Sequence, residues 1–221
     1  MSLLETPVLE AAWAALDFES TGPSAGAEDE PVQVGMAVWR PAEGESFTCM
    51  FRSFIRPPVR VTRAARKVHG IGDEQTDGSP SMTALWPEFK SRLSGAVVVA
   101  HGAGTERRFL RAFPMHGFGP WLDTLALSRA VWPEMPDYSL GAVVGTLGLE
   151  SRVRATCPGA DWHDALFDAV ACLALLHHCI RELDLGSLVV GQLTSLDASA
   201  YHRRRALLQT ARSAGWVPPS S

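Results

Sequence analysis

The chain has 221 residues, 46% hydrophobic and 20% charged, with a formal net charge of −4; this describes one globular domain able to bury a core and excludes a disordered or fibrous chain. The charge speaks against a protein that coats a duplex through a basic surplus, although an enzyme gripping a strand end through metal ions needs fewer basic groups. Cys49, Cys157, Cys172 and Cys179 form no C-x-x-C pair, the start carries Glu5 and Glu10 rather than a basic leader, and no apolar run reaches the roughly 18 residues of a membrane helix; a reducing, cytosolic setting without a membrane partner is expected.

Residues 11–19 (AAWAALDFE) predict a short apolar strand closed by Ser20, Thr21, Gly22 and Pro23, with an acidic loop over 24–30. Strands over 32–40 and 45–55 follow, and loops this short favour an antiparallel meander of the three. Pro57 and Pro58 end the third. A helical turn over 63–68 leads to His69-Gly70-Ile71, and Ser81 opens a helix over 82–93 that Gly95 stops. Residues 96–100 (AVVVA) are apolar on both faces, as a central strand is. Next come a helix over 104–113, a fifth strand over 121–125 running into a helix up to Trp132, and a helix over 139–147 closed by Gly148. Residues 164–183 form the longest helix, and 198–214 a basic amphipathic one before a Pro/Ser tail at 218–221. Three strands followed by alternating helix and strand make an α/β domain with a mixed five-stranded sheet flanked by helices.

Asp17 and Glu19 stand two residues apart in the first strand, so both side chains leave one face while Leu16 and Phe18 point the other way. Carboxylates paired near a sheet interior repel and resist desolvation; a divalent cation resolves the conflict, and so does a strand end open to solvent. Asp168 lies within HDALFDAVACLALLHHC, a mid-helix position in a segment apolar nearly all round. An unpaired charge there is costly and needs either a cation or an arginine such as Arg108. His163 is five residues earlier, and five helical steps separate side chains by about 140°. For both to face one site, His163 belongs to the turn before the helix, where it can take a proton from water as general base. Glu106 follows the buried strand through His101 and Gly102 into the first turn of a helix. The helix dipole alone accounts for an acid there, yet the carboxyl end of a central strand is also where α/β sheets place ligands.

The order of these pieces resembles the DEDDh, or DnaQ-like, 3′–5′ exonucleases over roughly residues 15–183. Residues 16–22 (LDFESTG) are similar to the first motif, D-x-E-T-T-G; 54–57 (FIRP) and 68–74 (VHGIGDE) to the N-P and HGI-x-D-E linker. Residues 99–110, with His101, Glu106 and Phe109-Leu110, resemble H-N-x-x-F-D-x-x-F-L; Asp123-Thr124 and the Leu140 to Gly148 helix also match; and 163–169 (HDALFDA) resemble H-x-A-x-x-D-A. The resemblance implies an RNase H-like fold over a domain of residues 1–184, with 185–221 a helical extension and tail. It implies two Mg2+ or Mn2+ ions, Asp17 bridging both, Glu19 and Asp168 completing one set of ligands, Glu106 as the fourth acid and His163 activating the water. The implied substrate is the 3′ end of DNA, with RNA as the alternative, and the implied partner is a DNA polymerase, as for the family's proofreading subunits.

Phe18, Thr21, Gly22 and His101 are the expected substrate contacts, Phe18 reading equally well as core; Arg203, Arg204 and Arg205 either touch the nucleic-acid backbone or form a solvated helix face. Two residues depart from the motif: Glu106 replaces the family's Asp and Gly102 its Asn. One extra methylene displaces a carboxylate by about an ångström, a shift that can cost on the order of a hundredfold in rate, so the site is read as active, weakened or retired. The competing expectation is therefore a docking module without catalysis.

Overall fold

Apolar residues alternate along the central strands so that each side of the sheet has its own core. The computed structural model describes residues 2–24, 26, 28–195 and 198–214; the tail at 218–221 lies outside the described residues. β1 (Trp13–Ser20), β2 (Pro31–Trp39) and β3 (Phe47–Phe54) form the expected antiparallel meander. After α1 (Arg63–His69), α2 (Asp73–Thr76) and α3 (Trp86–Leu93), β4 (Val97–Ala100) pairs in parallel with β1. After α4 (Gly104–Phe109), β5 (Trp121–Asp123) pairs in parallel with β4, giving the order β3-β2-β1-β4-β5. This is the mixed RNase H-like sheet that the motif order implies. α5 (Thr124–Val131), α6 (Leu140–Thr146), α7 (Glu150–Thr156), α8 (Ala165–Glu182), α9 (Val190–Ser195) and α10 (Ala198–Ser213) complete the described chain.

Trp13, Ala15, Val97 and Val99 join α8 in one core, while Ala14, Leu16, Phe18 and Val98 meet Phe89 and Leu93 in the other. The stretch of β1 that has strands on both sides, Trp13–Ala15, is apolar throughout, and Asp17 and Glu19 follow beyond it.

Local chemistry moves several predicted boundaries. The helix over 82–93 begins as a 3-10 turn (Met82–Leu85), capped where the Ser81 hydroxyl accepts from the Ala84 N–H at 3.3 Å, before α3 proper. The fifth strand stops at Asp123, whose side chain turns to accept the N–H groups of Leu125 and Ala126 and so starts α5. α2, α7 and α9 leave no periodic pattern in the sequence, because segments of four to seven residues are too short to show a helical repeat.

The segment beyond 184 shares the core of the rest. Pro7 bridges Val189, the Val190 N–H donates to the Thr6 carbonyl at 2.9 Å, and Leu185, Val190, Leu193 and Tyr201 are buried with α8. On α10, Arg205 donates to the Val131 carbonyl at 2.7 Å and Arg204 to the carbonyls of Leu183 and Asp184. These guanidiniums satisfy the orphan carbonyls at the C-terminal ends of α5 and α8. They lie at the opposite end of α8 from Asp168, so the basic run does not flank the acids.

Candidate active site

The site is built by docking the start of α8 onto the sheet. Asp17 pairs across β1 and β2 with Gly35, and Glu19 with Gln33. A Cβ on Gly35 would stand 2.0 Å from the Ala165 carbonyl carbon and 2.1 Å from the Leu166 nitrogen. Only glycine lets the first turn of α8 lie directly on the strand beside Asp17. Gln33 holds that turn by accepting the Ala165 N–H at 2.8 Å. Asp164 caps the helix through the N–H groups of Leu166 and Phe167, and Arg52 on β3 donates to its other oxygen at 2.6 Å. Asp168 is consequently in the first turn of α8, not mid-helix as its apolar surroundings suggested, and it faces Asp17 and Glu19. His163 occupies the preceding turn with φ at +66°, and its N–H donates to Asp168 Oδ2 at 3.3 Å. Arg108 is not the partner of Asp168; its guanidinium binds Asp29 at 2.9 Å.

Glu106 arrives from the other side. The loop after β4 turns at Gly102, φ +80°, and the N–H groups of Gly102 and Ala103 donate to the two oxygens of Asp123 at 2.9 and 3.1 Å. Asparagine and glycine are the residues that best tolerate this left-handed conformation, so both the glycine here and the asparagine of the resembled motif suit this turn. Glu106, only 5% exposed, then reaches toward Asp17.

Four acids from three elements thus crowd one point. Burial pushes Asp17 well above the usual carboxylate range, and the charges of Asp168, Glu106, Glu19 and Asp164 push it further. Glu19 is raised to about 8 by burial and by Asp168 and Asp164. Glu106 and Asp168 are each raised to about 7, burial being the largest cause in both. Glu106 Oε2 and Asp168 Oδ1 are buried without a hydrogen-bond partner among the described residues. Buried polar atoms are rarely left so, and an ion is one of the things that explains the exception. Carboxylate oxygens of Glu19 and Asp168 and a ring nitrogen of His163 all lie within 4.8 Å of one another. Hard, anionic oxygens converging on one point fit a divalent cation of the Mg2+ or Mn2+ type.

The expected substrate contacts fare differently. Phe18 leaves the opposite face of β1, 7% exposed, stacked on Phe89 and edge-on to Phe109, and belongs to the core. The N–H groups of Thr21 and Gly22 are already spent on the Glu30 carbonyl and Asp29 Oδ1, each at 2.8 Å. His101 ties the loop down, one ring nitrogen 3.0 Å from Thr124 Oγ1 and the other 2.7 Å from the Tyr138 carbonyl oxygen. The open surface beside the acids is instead a groove of about 300 Å3 lined by Gln33, His69, Ile71, Trp162, His163 and Asp164. Gly35, Gln33, Arg52 and Asp29 carry no local signature; the pairing of Gly35 with Asp17 is the one signal that strand register would have exposed.

The RNase_T family model, described as Exonuclease, matches residues 14–176. DNA polymerase III PolC-type from Thermotoga maritima is 31% identical over 145 residues, covering 63% of this chain and 10% of that protein, so the chain spans about a tenth of this relative. DNA polymerase III subunit epsilon from Aquifex aeolicus is 25% identical over 181 residues, covering 80% of this chain and 84% of the relative. Among solved structures, Exonuclease X in complex with 5′ overhanging duplex DNA superposes with a TM-score of 0.62 at 24% identity, covering 87% of this chain and 99% of that one. With the family model spanning every acid of the site, the chain belongs to the exonuclease family, in its DnaQ-like 3′–5′ group.

Proposed function

We propose that the chain hydrolyses phosphodiester bonds from the 3′ end of DNA, on single strands or frayed ends, using two divalent cations, Mg2+ or Mn2+, with His163 as general base. The observation that carries this reading is the convergence of Asp17, Glu19, Glu106 and Asp168 with two buried carboxylate oxygens left without a partner. Asp17 is central, since the charges of Glu19, Glu106 and Asp168 all act on it, and its carboxylate would help to hold the cations. Glu19 and Asp168 flank it on the His163 side and Glu106 on the other. Bound there, such cations supply an acidified water and positive charge opposite the phosphate oxygens.

The chain's own residues do the rest. His163 stands outside the helix with its ring open to solvent, so an imidazole nitrogen can take the proton that water releases on attack. Its N–H bond to Asp168 couples the position of the base to that of a ligand. Without cations the four acids either hold protons or repel a polyanionic strand, and neither state serves the reaction, so activity should depend on bound cations. A docking module would have no use for two unpartnered buried carboxylate oxygens, which favours retained catalysis with Glu106. DNA is the favoured substrate and a DNA polymerase the favoured partner because the relatives are polymerase III proteins.

Degradation of a 5′-labelled single-stranded DNA oligomer with Mg2+ or Mn2+ tests this, beside an RNA oligomer and the Asp17→Ala variant. A ladder shortening from the 3′ end, lost in the variant, is the expected outcome. Silence on both nucleic acids with both metals would leave the docking module standing, and trimming of RNA alone would reassign the substrate.

A further inference from the structure

Net charge −4 and an anionic site leave open where a nucleic-acid strand finds its counter-charge. Most cations of the described residues are already committed. Arg92 binds Glu88, Arg108 binds Asp29, Arg154 binds Glu150 and Asp161, and Arg181 binds Glu45. Arg204 and Arg205 cap helices. Lys90, Arg107, Arg111, Arg129 and Arg203 also lack an ion pair among the described residues, but residues 56–67 (RPPVRVTRAARK) alone gather five cations, Arg56, Arg60, Arg63, Arg66 and Lys67, in twelve residues with no acid. All five are exposed. Arg60 and Arg66 have partners in Asp73 and Glu74, but those pairs are solvent-exposed and weak. Arg56, Arg63 and Lys67 have no ion-pair partner among the described residues. Arg63 and Lys67 are four apart on α1, so they share one face with Cβ atoms about 5–6 Å apart.

This segment is fixed to the edge of the site. The Thr62 N–H donates to the Thr21 carbonyl at 2.9 Å, and His69 Nε2 lies 3.0 Å from the carbonyl oxygen of Ser20, the residue after Glu19. Gly22 abuts α1 so closely that a Cβ there would be 2.7 Å from Thr62 Oγ1. α1 buries none of its residues and ends at His69, which lines the groove beside His163. We propose that Arg56, Arg63 and Lys67 form a rim that docks the phosphodiester backbone of the strand whose 3′ end enters the site. This rests on the exonuclease reading of the acids, but it concerns binding and is tested without turnover.

The test is equilibrium binding of a fluorescent single-stranded DNA oligomer by anisotropy, in Ca2+, across a range of salt. Arg63→Ala/Lys67→Ala should weaken binding several-fold at low salt. It should also flatten the dependence of log affinity on log salt by about 1.4, because each phosphate neutralised on a single strand contributes about 0.7 to that slope. Arg63→Lys/Lys67→Arg should restore both, and Arg203→Ala, an exposed cation on α10, should change neither. Equal affinity and equal slope in wild type and the double alanine variant would overturn the rim, as would a wild-type protein that does not bind the oligomer. A rim that serves an acidic protein would give the same unchanged slope. Cleavage assays fail or succeed separately, so loss of the exonuclease reading and loss of the rim are told apart.

Discussion

Replacing Gly35 by alanine should cost this protein both stability and activity, through a contact that involves no reacting atom. The new Cβ would sit 2.0 Å from the Ala165 carbonyl carbon, whereas ordinary contact begins at 3.4 Å, so about 1.4 Å must be made up. The obstacle is backbone on both sides and cannot rotate away. Either β2 bows or the first turn of α8 retreats, stretching the 2.8 Å bond from Ala165 to Gln33 and carrying Asp168 off Asp17 and Glu19. Overpacking of this kind costs about 1–3 kcal/mol. Displacing a catalytic group by about an ångström costs on the order of a hundredfold in rate. The assays are a thermal melt and kcat on single-stranded DNA with saturating Mn2+. Gly145→Ala is the control: it lies within α6 with nothing inside 4 Å of the new carbon, and should stabilise by about 0.5–1 kcal/mol. A Gly35→Ala protein that melts and turns over like wild type would refute the account of how Asp168 is placed.

Without divalent cations, stability should fall as pH rises. Folded Glu19, Glu106 and Asp168 titrate near 8, 7 and 7, against about 4 when unfolded, so the folded state binds the extra protons across that interval. Their contribution is complete below about pH 4 and lost by about pH 8; the melting temperature should drop by roughly 5 °C or more between pH 5 and 8 and recover with Mn2+, and a flat metal-free profile would contradict the crowding of acids. Glu106→Gln should split the two properties, raising the metal-free melting temperature at pH 8 by relieving repulsion while lowering kcat on the order of a hundredfold; a fully active variant would remove Glu106 from the site. Arg205→Ala should cost about 1–2 kcal/mol by uncapping α5 at Val131 and leave oligomer affinity unchanged, whereas weakened binding would return α10 to the nucleic-acid interface.

What the sequence determined by itself were the features set by local rules. Period-two alternation put Asp17 and Glu19 on one face of β1, helical geometry put His163 in the turn before the helix if it is to share a site with Asp168, and the order of motifs identified the family and its sheet. Gly102 was legible as a departure, but the φ of +80° that it adopts was not. The tertiary structure decided the rest, through contacts between residues far apart in the chain. Asp168 owes its place to Gly35, Gln33 and Arg52, more than a hundred residues earlier, whose hydrogen bonds and missing Cβ follow no repeat. Phe18, Arg204 and Arg205 have types that suit either surface or interior, and only packing assigns them: Phe18 to the core, the arginines to the carbonyl ends of α8 and α5. A sequence records which groups are available, while burial and the satisfaction of backbone polar atoms across the fold determine which of them remain free to act.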